Sequence, residues 1–318
     1  MRKIRFILIM LTVCALSGGC VHKVLTDAGD EPGSDGPGPV GPGAGGKALV
    51  LFDWSEAGGN PSPDRVTLLC YPLSAPGTPG LAYLPMEGGE LEITPGRYDM
   101  VSFTAEPPAD LTPEGLLLTT ESVDILSPLG LTSSSAGDEP VVAAPQRVWY
   151  GRNRGFTAGD DPDRTDTCPI PMRDAFIVLH VLYPHVLHSE RIEAASVALS
   201  GMGAGFMPAA GEVSALRATI PFAATAAEGR VSAETPAFGH CPDGEPCRHE
   251  LSLFLKLAGG ELKRVRSDVS AQMQAQRGQK DVYITIDELI SPEMGVDFSI
   301  DTDGGIAPMQ PGDNQDVS

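Results

Sequence analysis

The chain has 318 residues, 42 of them acidic against 22 basic, for a formal net charge of −20 at neutral pH. That balance offers no electrostatic footprint for nucleic acid and repels anionic lipid head groups. A hydrophobic share of 42% is ample for globular cores, 37 Gly and 29 Pro mark a loop-rich chain, and a 6% aromatic share leaves room for a local ring platform but not a broad one.

The first element is short. Met1-Arg2-Lys3-Ile4-Arg5 is basic, and Phe6 to Leu16 is a mostly apolar run of eleven residues. A bilayer-spanning helix needs about 20 apolar residues, whereas a run of this length behind a basic start and before small residues reads as an export signal. Ser17-Gly18-Gly19 leads into Cys20, an arrangement that resembles a bacterial lipobox. Residues 1–19 are therefore expected to be a lipoprotein signal peptide, with Cys20 lipidated on its thiol after the cut. Attachment to the membrane then comes from acyl chains, of which stable anchoring needs more than one. Between residues 29 and 46, twelve of eighteen positions are Gly or Pro, too little apolar surface to order a segment. Residues 20–46 read as a tether with a reach of roughly 30 Å.

Folded structure is expected from residue 47. "KALVLFDW" (47–54) and "RVTLLCYP" (65–72) are β-type runs. In "LEITPGRYDMVSF" (91–103) the alternation on both sides of Pro95-Gly96 predicts a hairpin with those two residues central to a type II turn. From 104 to 170 the pattern is irregular, apart from a strand at "QRVWYG" (146–151) and an acidic loop at 159–166.

A second series of strands begins with "DAFIVLHVLY" (174–183) and continues through "ASVALSG" (195–201), "GRVSAE" (229–234), "HELSLFLKL" (249–257), "KRVRSDVS" (263–270) and "DVYITIDEL" (281–289). A helical period shows only weakly, near 186–196. Short strands with turn signals at this spacing predict an all-β protein of two tandem β-sandwich domains behind the tether. The expected domains are 47–166 and 167–303, followed by a disordered tail over 304–318.

Export places Cys70, Cys168, Cys241 and Cys247 in an oxidising compartment, where disulfides persist. "HCPDGEPCRH" (240–249) closes a small Pro/Gly loop, and a Cys241–Cys247 bridge is the favoured reading. Free thiols and a zinc tetrad of His240, Cys241, Cys247 and His249 are the alternatives. The tetrad needs directly adjacent ligands at an uncommon spacing, so no metal is expected. Pro184 breaks any helix that would gather His180, His185 and His188. "SGMGAG" (200–205) mimics a phosphate loop, but Pro208 stands where a helix should begin, and a tight turn between strands fits better. "DTDGG" (301–305) opens like a calcium loop without the closing glutamate. Asp160, Asp161, Asp163 and Asp166 read as a solvated acidic loop. No nucleophile elbow or other catalytic set is recognisable, and nothing implies a cofactor.

The Cys20 start, "VLFDWSEAGGNPSPDRVTLLCYP", "LEITPGRYDMVSF", "ASVALSGMGAG" and "DVYITIDEL" together resemble Bacteroidetes surface lipoproteins of a family of unknown function. That family is similar, more remotely, to FimB-type fimbrial anchor and fimbrillin-like proteins. The resemblance implies transthyretin-like sandwiches and a lipid-anchored place on the outer membrane, facing the cell surface. It supplies no established activity; with no catalytic set in the chain, the expected role is a non-enzymatic accessory or anchor subunit of fimbria-like fibres, with fimbrial subunits as partners. A free-standing lipoprotein that binds a glycan or host protein is the alternative.

Overall fold

The computed structural model describes residues 45–74, 78–122, 125–126, 131–132, 139–240, 247–291, 296–300 and 306–308. The expected signal peptide, Cys20, nearly all of the tether, and the "DTDGG" stretch lie outside them. The regular structure among the described residues is nearly all strand, as the alternating pattern predicts.

The first unit contains β1 (Gly46–Asp53), β2 (Val66–Pro72), β3 (Gly80–Leu84), β4 (Gly88–Ile93), β5 (Gly96–Phe103), three two-residue strands β6 (Leu118–Thr119), β7 (Ile125–Leu126) and β8 (Leu131–Thr132), and the long β9 (Trp149–Ala158) and β10 (Thr165–Asp174). The main sheet runs β3-β2-β5-β9-β10-β1-β4. It folds over between β9 and β10, which pair only through Trp149–Gly151 and Met172–Asp174. The core between the layers holds Val66, Leu68, Cys70 and Met100 from one side and Val50, Cys168 and Ile170 from the other.

Three expectations change here. Residues 91–103 do not form a hairpin: β4 pairs with β1, whereas β5 pairs with β2 and β9. Pro95-Gly96 therefore carries the chain from one layer to the other, because burying Leu91 and Ile93 together with Tyr98 and Met100 in one core requires the segments to face each other. The 104–170 region supplies two of the longest strands. Strand β10 runs parallel to β1, so the first sandwich extends to Asp174 and the expected boundary at 166/167 falls inside one of its strands.

Pro169 and Pro171 obscure β10 in the sequence, since proline cannot donate within a ladder. The Pro169 carbonyl accepts a bond from the Asn153 side chain on β9 at 2.8 Å. That edge of β10 faces the gap beside β9, where no main-chain donor is needed.

The second unit begins with β11 (Ile177–Tyr183). A 3₁₀ turn at Ser189–Arg191 takes the place of the weak helical period and leads into β12 (Ile192–Gly203). Then come β13 (Gly205–Met207), β14 (Glu212–Val213), β15 (Arg217–Ala227), β16 (Arg230–Ala237), β17 (Glu250–Leu257), β18 (Leu262–Asp268), a short helix α1 (Ser270–Ala275), β19 (Asp281–Thr285), β20 (Val296–Ile300) and β21 (Ile306–Pro308). The sheet order is β19-β11-β16-β15-β12-β17-β18-β20-β21. The fold-over strand is β15, which pairs with β12 up to Ala224 and with β16 from Thr225 onward. Pro221 sits before that switch, where β16 is not yet alongside. Its presence among alanines hides the strand from a propensity reading.

"SGMGAG" is no turn between strands. It is the bulged end of β12 running into β13, with the register shifting between Leu199 and Met202 and Gly201 at φ 74°. A Cβ on Gly201 would lie 2.4 Å from the Arg248 carbonyl, so the strand can approach β17 only with glycine there. β21, inside the segment expected to lack strand structure, pairs with β20.

A third apolar cluster joins the sandwiches. Leu69 and Tyr71 of β2 and Val101 and Phe103 of β5 meet Phe206, Ala209 and Phe238 of the second unit. Strands β2 and β5 are thus buried on both faces, which explains why every residue of "VTLLCY" is buried.

Candidate functional site

In β11 alternate residues divide between core and surface. Leu179, Val181 and Tyr183 are buried in the second core, whereas His180 and Leu182 look outward and Val178 packs against the first core. The registers set His180 beside Tyr283 of β19 and Glu234 of β16. The next row aligns Thr285, Leu182, Ser232 and Thr225. These rows line an open groove of about 550 Å³ on the outer face of the second sandwich.

At its centre the His180 and Tyr283 rings stack, with centroids 4.6 Å apart and planes 11° from parallel. His180 Nε2 lies 3.1 Å from Asp281 Oδ1, and Nδ1 lies 3.4 Å from Glu234 Oε2. A carboxylate at each ring nitrogen fixes the imidazole plane. Tyr283 is 58% exposed, an informative position for a large ring. Neither tryptophan contributes a comparable surface. Trp54 and Trp149 meet edge to face at 6.3 Å, with Trp149 buried.

The sheet edges differ in how they end. Beside β19 stand Gln272 and Gln276, whose amides bond the main chain of Thr285 and Tyr283. Strands β3 and β4 end the first sheet without a strand beyond them among the described residues. Strand β4 carries the exposed Glu90 and Glu92, the sort of charge that discourages edge pairing. Strand β3, "GLAYL", carries none. Its Leu81 and Ala82 are only partly covered, each packing at the rim of a core.

The residues singled out from sequence do not converge. His180 belongs to the groove. His185 lies 3.1 Å from Asp287, and His188 lies 3.4 Å from Glu190. In the acidic loop Asp166 accepts from the Gly159 N–H at 2.7 Å and Asp161 from the Asp163 N–H at 3.0 Å. Among the described residues no three His, Cys, Asp or Glu side chains form a metal-holding group. Cys247 is buried and disulfide-bonded, while Cys241 lies outside the described residues. Cys70 and Cys168 are buried free thiols. Burial pushes both up to about 12, with each facing the other's layer in the core.

Sequence reasoning set His180 aside with His185 and His188 as a solvated cluster, and it did not find Tyr283, Glu234 or Asp281. Period-two alternation in "IVLHVLY" and "VYIT" marks His180 and Tyr283 as outward. Their adjacency depends on parallel pairing between strands far apart in the chain.

A family model described as a domain of unknown function (DUF5119) matches residues 47–223. No curated protein matches the chain. Among solved structures, a candidate adhesin from Bacteroides ovatus ATCC 8483 is similar over 78% of this chain and 94% of its own, with 14% identity and a TM-score of 0.61. The fimbrial anchor protein Mfa2 from Porphyromonas gingivalis is similar over 75% and 89%, with 14% identity and a TM-score of 0.46. The Bacteroides ovatus likeness shows a shared fold.

Proposed function

The chain belongs to the DUF5119 family, and on that footing we propose that it is a non-enzymatic outer-membrane lipoprotein, held by acyl chains on Cys20, that serves as an accessory or anchor subunit of fimbria-like surface fibres. The observation that carries this reading is the contrast between edges. The β19 edge is closed by two glutamine amides, whereas β3 offers an uncharged edge beside the doubly buried β2. A neighbouring subunit's strand laid along β3 would satisfy its open N–H and C=O groups and complete the cover over Leu81 and Ala82. The fold shared with a candidate adhesin supports the same reading.

The test is made in the producing bacterium. Deleting the gene should leave fibres that are altered in length or shed into the medium while the shaft protein is still made. A photoreactive phenylalanine in place of Tyr83, which is exposed on β3, should crosslink to a fibre subunit. Normal attached fibres in the deletion strain would overturn the anchor role. Altered fibres without a crosslink from β3 would keep the role and reject the edge.

A further inference from the structure

We propose that the groove on the outer face of the second sandwich binds neutral carbohydrate, with the Tyr283–His180 stack as platform and Glu234 and Asp281 as hydrogen-bond acceptors. This goes beyond the fibre role and does not depend on it. A pyranose ring has an apolar C–H face and a rim of hydroxyl donors. The apolar face suits an exposed aromatic plane, and the hydroxyls suit carboxylates, which accept stronger bonds than neutral groups do. The parallel register places Tyr283 next to His180, which covers one face of the phenol ring, and the antiparallel register places Glu234 on the other flank of His180, so rings and carboxylates line one surface.

The platform is also held in place before any ligand arrives. His180 has a carboxylate at each ring nitrogen, and the Tyr283 main chain is bonded on its outer side by Gln276 at 2.7 and 2.8 Å. Little side-chain freedom remains to be lost on binding. The alternatives fit less well. No Lys or Arg lines the groove, so phosphate, sulfated glycans and nucleotides meet only negative charge. A peptide strand cannot extend the sheet at this edge while the glutamines occupy it. The volume of about 550 Å³ is in the range of small-molecule sites.

The experiment uses the full-length protein purified in detergent, titrated with neutral oligosaccharides of glucose, mannose, galactose and N-acetylglucosamine and with a sulfated polysaccharide. Saturation-transfer NMR and calorimetry report the binding. At least one neutral oligosaccharide should bind. Tyr283→Ala should weaken it about tenfold, equivalent to about 1.4 kcal/mol, and Tyr283→Phe should preserve it. Glu234→Gln should weaken it without changing the melting temperature. Because residue 283 is exposed and its bonds to Gln276 are made by main chain, Tyr283→Ala should stay folded, which thermal melting checks. The proposal is overturned if no neutral oligosaccharide binds at millimolar concentration. It is equally overturned if the sulfated polymer binds as well as any of them, or if folded Tyr283→Ala binds like the parent.

Discussion

The side-chain amide of Gln276 makes both outward main-chain hydrogen bonds of Tyr283: its Nε2 donates to the carbonyl at 2.7 Å and its Oε1 accepts from the N–H at 2.8 Å. Gln272 repeats the arrangement on Thr285, at 2.9 Å for each bond. Four residues of helix rise about 6 Å, and two residues of strand span about 6.6 Å. Two glutamines four apart therefore match alternate residues of β19 and stand in for a missing strand.

Removing this cover should expose the edge. Each Gln→Ala change is expected to cost about 0.5–1.5 kcal/mol, because the freed groups can bond water. The Gln272→Ala/Gln276→Ala double variant should also show concentration-dependent association that the parent lacks. Sedimentation velocity over a range of concentrations decides the point, and coincident profiles would show that the amides do not guard the edge.

A polar contact also ties the two sandwiches together. Arg152 on β9 bonds Asp99 through Nε at 2.9 Å and through Nη2, while its Nη1 donates to the Ala209 carbonyl across the interface. The side chains are 24% and 14% exposed, so water screens the pair only in part. Arg152→Met should destabilise by about 1–3 kcal/mol, less than a fully buried pair would lose. It should also speed amide exchange around Ala209. Unchanged exchange there would mean that the apolar cluster alone holds the interface.

His249 makes stability depend on pH. It is buried, its Nδ1 donates to the Ser200 carbonyl at 3.1 Å, and burial holds its pKa below the ordinary imidazole value. A depressed folded value means that the unfolded chain takes up the proton first. The neutral ring's contribution is complete above about pH 6.5 and is lost as the pH falls through the folded value. Urea midpoints measured between pH 7.5 and 5 should fall on acidification, and His249→Gln should flatten that limb. Parallel curves for the two proteins would refute it.

Cys70, Cys168, Cys241 and Cys247 should separate into two chemical classes. Cys70 and Cys168, raised to about 12 by burial, should resist alkylation at pH 8 until the protein unfolds, since the thiolate is the reactive form. Cys241 and Cys247 are proposed to be bonded to each other, which non-reducing peptide mapping would reveal. Rapid native labelling of Cys70, or a Cys247 peptide linked to any other cysteine, would contradict this assignment.

The proposed anchor is an acylated Cys20. The Cys20→Ala variant should be exported without acylation and leave the membrane fraction, as expected of a protein held only by acyl chains on that thiol. Sedimentation with membranes unchanged from the parent would reject the lipid anchor.

The sequence by itself determined the class of structure. Alternation in "KALVLFD" reflects a period of two that the segment sets locally, by burying one side of its own backbone. The alternation in "IVLHVLY" carries the same signal for His180, whose flanking Leu179 and Val181 are buried. Pairing was decided elsewhere. β4 and β5 are neighbours in the chain but lie in opposite layers, while β1 finds β10 and His180 finds Tyr283 across long stretches of sequence. A strand's pattern says which side is apolar but not which strand lies beside it. That choice is made when competing layers are buried together and the last main-chain groups find partners. Pro169 and Pro221 show the same division of influence: locally they argue against strand, and tertiary structure tolerates them because the edge they would interrupt is left unpaired at that point.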